Sequence, residues 1–117
     1  MATRSNIAKI NKDGMIEYVY CHNNGYIEDV GATLKYYYPN LTAVNKILSR
    51  GDLSVLSNTV ENSTFYHRDR GDKKADCKKR VIDFDTFISG RLQEYNYILK
   101  NKKWYYVKYG QTELVEL

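Results

Sequence analysis

Along this chain the apolar residues change period twice, from two to between three and four and back to two, and that pattern leaves few folds open. In Met15 to Cys21, Ile16, Tyr18 and Tyr20 point one way and Glu17, Val19 and Cys21 the other, the alternation of a strand with one drier face. Ser5 to Ile10 is a second extended run. The joining Asn11-Lys12-Asp13-Gly14 contains an Asp-Gly step that tolerates the positive φ of a tight hairpin. From Tyr26 to Tyr38 the apolar positions are Ile27, Val30, Leu34 and Tyr37 or Tyr38, one stripe on a helix that Pro39 ends. Asn40 caps a second helix with Leu41, Val44, Ile47 and Leu48 on one face, closed by Arg50-Gly51. Strand-like runs return at Thr64 to Arg68, Tyr95 to Lys100 and Trp104 to Tyr109, with Thr112 to Leu117 as a final edge. Asp52 to Leu56 reads as a short turn or a single helical turn, and Val81 to Leu92 as a short helix capped by Asp83 or Asp85, with Phe84, Phe87, Ile88 and Leu92 inward. The expected fold is α+β: a mainly antiparallel sheet of five to six strands with two or three helices packed on one face.

At 117 residues this is one domain, 1–117, and 43% hydrophobic with 27% charged residues is a globular composition. No run approaches the roughly 18 apolar residues of a membrane span, and no apolar stretch follows Met1-Ala2-Thr3-Arg4-Ser5-Asn6, so the expected location is the cytoplasm, away from membranes. Cys21 and Cys77 are expected to be thiols there.

Charge is concentrated. Between Arg68 and Arg80 seven cations stand against three anions, an excess equal to the +4 of the whole chain. Such a segment attracts a polyanion; the plainer alternative is a solvated loop with charges of both signs. Twelve tyrosines offer stacking surfaces as well as core bulk, and core is the default for an aromatic side chain.

Cys21, His22, His67 and Cys77 make the inventory of a zinc site but lack the paired spacing, since neighbours on a strand face opposite sides. The same geometry argues against Cys21-His22 as a catalytic pair. Cys77, in a basic loop, is expected to have a lowered pKa without an oriented partner. With no phosphate-binding, metalloprotease or nucleophile-elbow motif, the expectation is a protein that is not an enzyme and uses no metal or cofactor. The most pointed constellation is Tyr66-His67-Arg68-Asp69-Arg70-Gly71-Asp72, where guanidinium groups can grip a phosphate while an aromatic stacks a base. The alternative is an Arg-Asp ladder at a strand end. The candidate ligand-binding residues are Tyr66, His67, Arg68, Arg70, Lys73 and Lys74, with His22 and Tyr26 as a second cluster and Arg4 beside them if the first strand lies alongside.

The opening Met1 to Ile7, Asp13-Gly14, Tyr20 to Tyr26, Val30-Gly31, Gly51-Asp52-Leu53-Ser54 and Tyr66 to Gly71 resemble a widespread family of small bacteriophage and prophage proteins, over the whole chain. The sequence departs from the family in Asn23-Asn24-Gly25-Tyr26-Ile27, where many relatives carry Trp-Asp-Gly-Tyr-Pro. The resemblance implies a phage accessory protein. By analogy with small phage inhibitors, it implies anti-defence action, anti-CRISPR or similar, by occupying a nucleic-acid-binding nuclease complex of the host or sequestering a phosphate-bearing ligand. Alternatives are a sponge for a cyclic nucleotide or ADP-ribose-type immune signal, and a general nucleic-acid-binding or homo-oligomeric module. Tyr36, Tyr37 and Tyr38 cannot all face one core, and this is the ground for expecting a homodimer.

Overall fold

The computed structural model describes residues 2–117. Strands β1 (Ser5–Ile10) and β2 (Ile16–Cys21) pair antiparallel from Ser5↔Cys21 to Ile10↔Ile16, and the connecting turn sets Gly14 at φ +86°. A π-helical turn at Ile27–Gly31 runs into α1 (Ala32–Tyr37), and α2 (Leu41–Arg50) starts where the Asn40 side chain accepts from Ala43 N. The second helix and its cap are as expected, although Leu41 is exposed; the first starts as a π-helical turn and is α-helical only from Ala32.

Asp52 to Leu56 differs from its reading as a turn, because β3 (Leu53–Val55) forms there and pairs with the end of β2 at Cys21↔Leu53. A crossover carrying two helices brings β3 back parallel to β2, an arrangement no hairpin can make. The run Thr64 to Arg68 is a second correction: only β4 (Thr64–Phe65) is extended, and α3 (Tyr66–Arg70) follows at once. Asp69 explains the switch, since its carboxylate turns back to accept from Phe65 N at 2.7 Å and closes a helical turn. Then come α4 (Lys74–Cys77), β5 (Arg80–Ile82) and α5 (Phe84–Phe87), which Asp83 caps by accepting from Thr86 N. β6 (Tyr95–Lys100), β7 (Lys103–Lys108) and β8 (Val115–Glu116) complete the chain.

The protein is thus α+β, but the sheet has eight strands and is mixed. Its order is β4-β3-β2-β1-β6-β7-β8, with β5 also on β2 and with β6 parallel to β1. Both faces are covered, so the helices are not confined to one. Ile7, Val19, Tyr97 and Leu99 point toward α1 and α2, where Leu34, Val44, Ile47 and Leu48 are buried. Their neighbours Ala8, Ile16 and Ile98 point the other way, beneath Phe87 of α5. That second cover is short. It ends before the sheet does, near the ends of β2 and β3 where the cationic segment lies.

Candidate functional site

The segment from Arg68 to Arg80, read as a loop, is folded and held at three points. Arg80 donates to both oxygens of the buried Asp52 carboxylate (2.9 and 2.7 Å), which also accepts from Tyr20 N at 2.8 Å. Asp52 N donates to Cys77 O at 2.6 Å, and Tyr18↔Arg80 pairing joins β5 to β2. Gly51 makes the close approach feasible: at φ +84°, ψ −156°, a Cβ there would lie 2.2 Å from Cys77 O.

Between the end of α2 and the α3–α4 pair runs an open groove of about 470 Å³. Its lining includes Ser49 and the basic side chains of Arg50, His67, Arg68, Lys74, Lys78 and Lys79, with no carboxylate among the lining residues. The cations differ in what they are free to do. Arg68 donates to the carbonyls of Val60 (2.9 Å), Glu61 (3.3 Å) and Ser63 (2.6 Å), pairs with Asp69 and lies 5.0 Å over the Phe65 ring. It is chiefly a clamp on the 57–63 loop. Arg50 donates to Lys46 O and Lys79 pairs with Glu17 at 2.8 Å. Among the described residues, Lys74 and Lys78 have no carboxylate within 4.0 Å. His67 Nδ1 lies 2.8 Å from Asp72 O, and because a carbonyl only accepts, Nδ1 is the donor of this bond.

These pairs set an acid limit. Lys79 holds the Glu17 carboxyl below its ordinary 4.5, with Asn11 helping and burial opposing. Arg68, with Phe65 N, lowers Asp69, and Thr86 lowers Asp83, both below 3.8. A carboxyl depressed by folding stabilises above its unfolded pKa and stops doing so as pH falls through the folded value. The melting temperature should therefore hold from pH 7 to about 5 and fall below about pH 4. Lys79→Met should flatten part of that acid slope in a thermal melt series; an unchanged slope would remove Glu17 from the account.

The sequence-derived site residues divide into groups. His67, Arg68 and Lys74 line the groove. Tyr66 and Arg70 project from the other side of α3, with the Arg70 guanidinium 5.3 Å over the Tyr66 ring and 3.3 Å from Ser54 Oγ. His22 is with them, on the same sheet face as Tyr20, whose hydroxyl is 2.6 Å from His22 Nδ1. Arg4 is exposed and stands two residues before Asn6 on the same extended run, so alternation turns it toward this face; burial pushes the Tyr20 phenol up, with the Arg4 charge opposing. Tyr26 does not join His22. It packs on Tyr95, toward the opposite face, with ring centroids 6.4 Å apart. Lys73 is exposed at the start of α4 and lines neither the groove nor that face.

Sequence reasoning missed Arg50, Lys78, Lys79 and Tyr20. Arg50 looked like a helix-end cation and Tyr20 like core. Lys78 and Lys79 were part of the counted excess, so charge density alone could have included them. Of the consecutive tyrosines, Tyr38 is buried and donates to Ser57 O, whereas Tyr36 and Tyr37 are exposed. Neither cysteine is activated. Burial pushes Cys21 up to about 11, and burial with the Asp52, Asp72 and Asp76 charges raises Cys77, correcting the expectation of a lowered value. Cys77 donates to Lys73 O and serves as part of the α4 turn.

The chain matches no protein-family model, no curated protein and no solved structure.

Proposed function

We propose that this protein is a non-enzymatic binding module that takes a phosphate-bearing partner into the groove between α2 and α3–α4. The observation that carries the reading is a groove whose charged lining is cationic throughout, with contributions from three elements. Groups brought together in this way raise local anion concentration more than a solvated loop would. Lys74 and Lys78 are the contacts to a phosphate; Arg68 shapes the wall. In the phage setting implied by the resemblance, such a module blocks host defence stoichiometrically, by masking a nuclease complex or withholding a phosphate-bearing ligand.

Titration of labelled short DNA and RNA at about 50 and about 200 mM salt tests this, because neutralising a few phosphates makes affinity fall steeply with salt. Lys74→Glu with Lys78→Glu should weaken binding at least about tenfold and flatten the salt slope, with the melting temperature unchanged. Arg68→Ala should behave differently and lower stability on the order of 2 kcal/mol, through the carbonyls it leaves without a donor. Absence of binding at the lower salt to any nucleic acid or nucleotide would end the reading.

A further inference from the structure

Just across α3 from the groove, past the cover that Phe87 of α5 gives to Ile16 and Tyr18, the sheet has a half-buried face whose residues are of a different chemical kind. On β2, alternation sets Tyr18, Tyr20 and then His22 on this face. Asn6 of β1 is opposite Tyr20, and Arg80 of β5 opposite Tyr18. The face continues through Ser54 to Tyr66 and Arg70 of α3. A core-facing patch would be apolar, and a solvated one would carry short polar or charged groups. Here tyrosine rings alternate with guanidinium groups and with amides.

The polar groups beneath this face are satisfied. Asn6 Nδ2 donates to Asn96 Oδ1 at 3.0 Å, and Asn96 in turn donates to Gln93 O, fixing the segment before β6 as one wall. An open cleft of about 330 Å³ results, lined by Asn6, Tyr18, Tyr20, Asp52, Arg80 and Gln93 together with Leu92. That is near the lower end of small-ligand sites, which begin at roughly 300 Å³, and it suits one planar ring system better than a peptide or a second protein. At its rim the Gln93 side-chain amide makes no hydrogen bond within the described residues, and it offers a donor beside an acceptor, the pattern that a base edge presents.

We propose that this face is a nucleobase-binding platform. Tyr20 and Tyr66 supply the stacking surfaces, and the Gln93 amide meets a base edge. Arg4 and Arg70 hold the attached phosphate. Both rings are half-buried, and stacking on their accessible faces tolerates any base, while guanidinium groups beside them suit the backbone that joins bases. Because α3 turns Tyr66 and Arg70 to this face and His67 to the groove, a single strand crossing α3 can leave a base here and a phosphate there. The proposal rests on the groove reading for the second phosphate only. The ligand chemistry is a nucleobase joined to phosphate, whose source is either a single strand or a free nucleotide.

The test uses the full chain and three labelled probes of equal length: a single-stranded oligonucleotide of mixed sequence, the same backbone without bases, and a duplex. Unlabelled mononucleotides serve as competitors. The base-bearing single strand should bind between about five- and a hundredfold more tightly than the abasic strand, the range stacking provides. Tyr20→Ala and Tyr66→Ala should each reduce that preference, while Tyr20→Phe, which keeps the ring, should retain it. Competition by mononucleotides at concentrations near those of the oligonucleotide would make a free nucleotide the source; failure to compete would make it a single strand. Equal affinity for abasic and base-bearing strands overturns the proposal, as does retention of the preference in both alanine variants. Photocross-linking of a bromouridine oligonucleotide to the unmodified protein avoids any folding defect of a variant. Adducts at Tyr18, Tyr20, His22 or Tyr66 support the platform, and adducts confined to Tyr36, Tyr37 or Tyr109 overturn it. The two readings fail separately: the platform falls if base dependence is absent, and the groove falls if Lys74→Glu with Lys78→Glu leaves affinity unchanged.

Discussion

Gly51→Ala is expected to lower the unfolding free energy by roughly 3–5 kcal/mol, combining the 1–3 kcal/mol of a glycine-only backbone region with a backbone clash. The residue stands at φ +84°, ψ −156°, a region that side chains other than glycine's avoid. The added carbon would sit 2.2 Å from Cys77 O, and that oxygen already accepts from Asp52 N at 2.6 Å. Neither partner is a flexible side chain that can swing aside. Relief requires the α4 turn to leave the start of β3, so the groove should open and its affinity for anions should fall with stability. Gly71→Ala is the control, at φ +74° with nothing near its missing Cβ. It should cost only about 1 kcal/mol, the conformational term alone. Urea denaturation of the two variants distinguishes steric crowding from backbone conformation; equal losses would mean that the contact with Cys77 is not tight.

The second large effect is expected at Asp52. Its carboxylate is buried and serves Tyr20 N as well as both terminal nitrogens of Arg80. Asp52→Ala leaves the part-buried Tyr20 amide without its acceptor and a guanidinium without its counter-charge. Removing one member of a buried pair typically costs 3–5 kcal/mol, but the Arg80 side chain is 41% exposed and can turn to water, so about 2–4 kcal/mol is expected. Arg80→Ala should cost less than Asp52→Ala, because it removes no acceptor from Tyr20 N. The double-mutant cycle should return a coupling of about 1–3 kcal/mol. A coupling near zero would show that the pair is only a surface contact. Since Asp52 and Arg80 also line the sheet-face cleft, Asp52→Ala tests whether that cleft depends on the clamp behind it.

How much of this was legible in the sequence can be followed residue by residue. The hairpin at Asp13-Gly14, the helix capped by Asn40 and the cap at Asp83 were all readable. Each depends on residues a few positions apart, and the same bonds form in any context that tolerates the element. β3 was not readable. Three residues with no alternation become a strand only because the α1–α2 crossover returns them to Cys21. Tyr66 to Arg70 misled for a related reason: β-branched and aromatic content signals a strand, yet strand propensity is largely a matter of neighbours, and the Asp69 contact with Phe65 N prevailed. The parallel register of β1 with β6 joins residues 90 positions apart, beyond the reach of any local pattern.

The same division applies to the site. Charge counting located the basic segment, and residue chemistry picked out His67, Lys74, Tyr66 and Arg70. It could not distinguish Lys74, which has no carboxylate partner among the described residues, from Arg68, whose guanidinium is engaged by the carbonyls of Val60 and Ser63. Nor could it separate His22 from Tyr26, four positions apart and packed toward opposite faces of the sheet. By itself the amino-acid order determined the elements held by short-range bonds and the sign of the charge on one stretch. Which strands became neighbours, which cations kept free donors, and which aromatics remained uncovered were decided only when distant segments met, because each depends on backbone groups and surfaces brought together by chain closure.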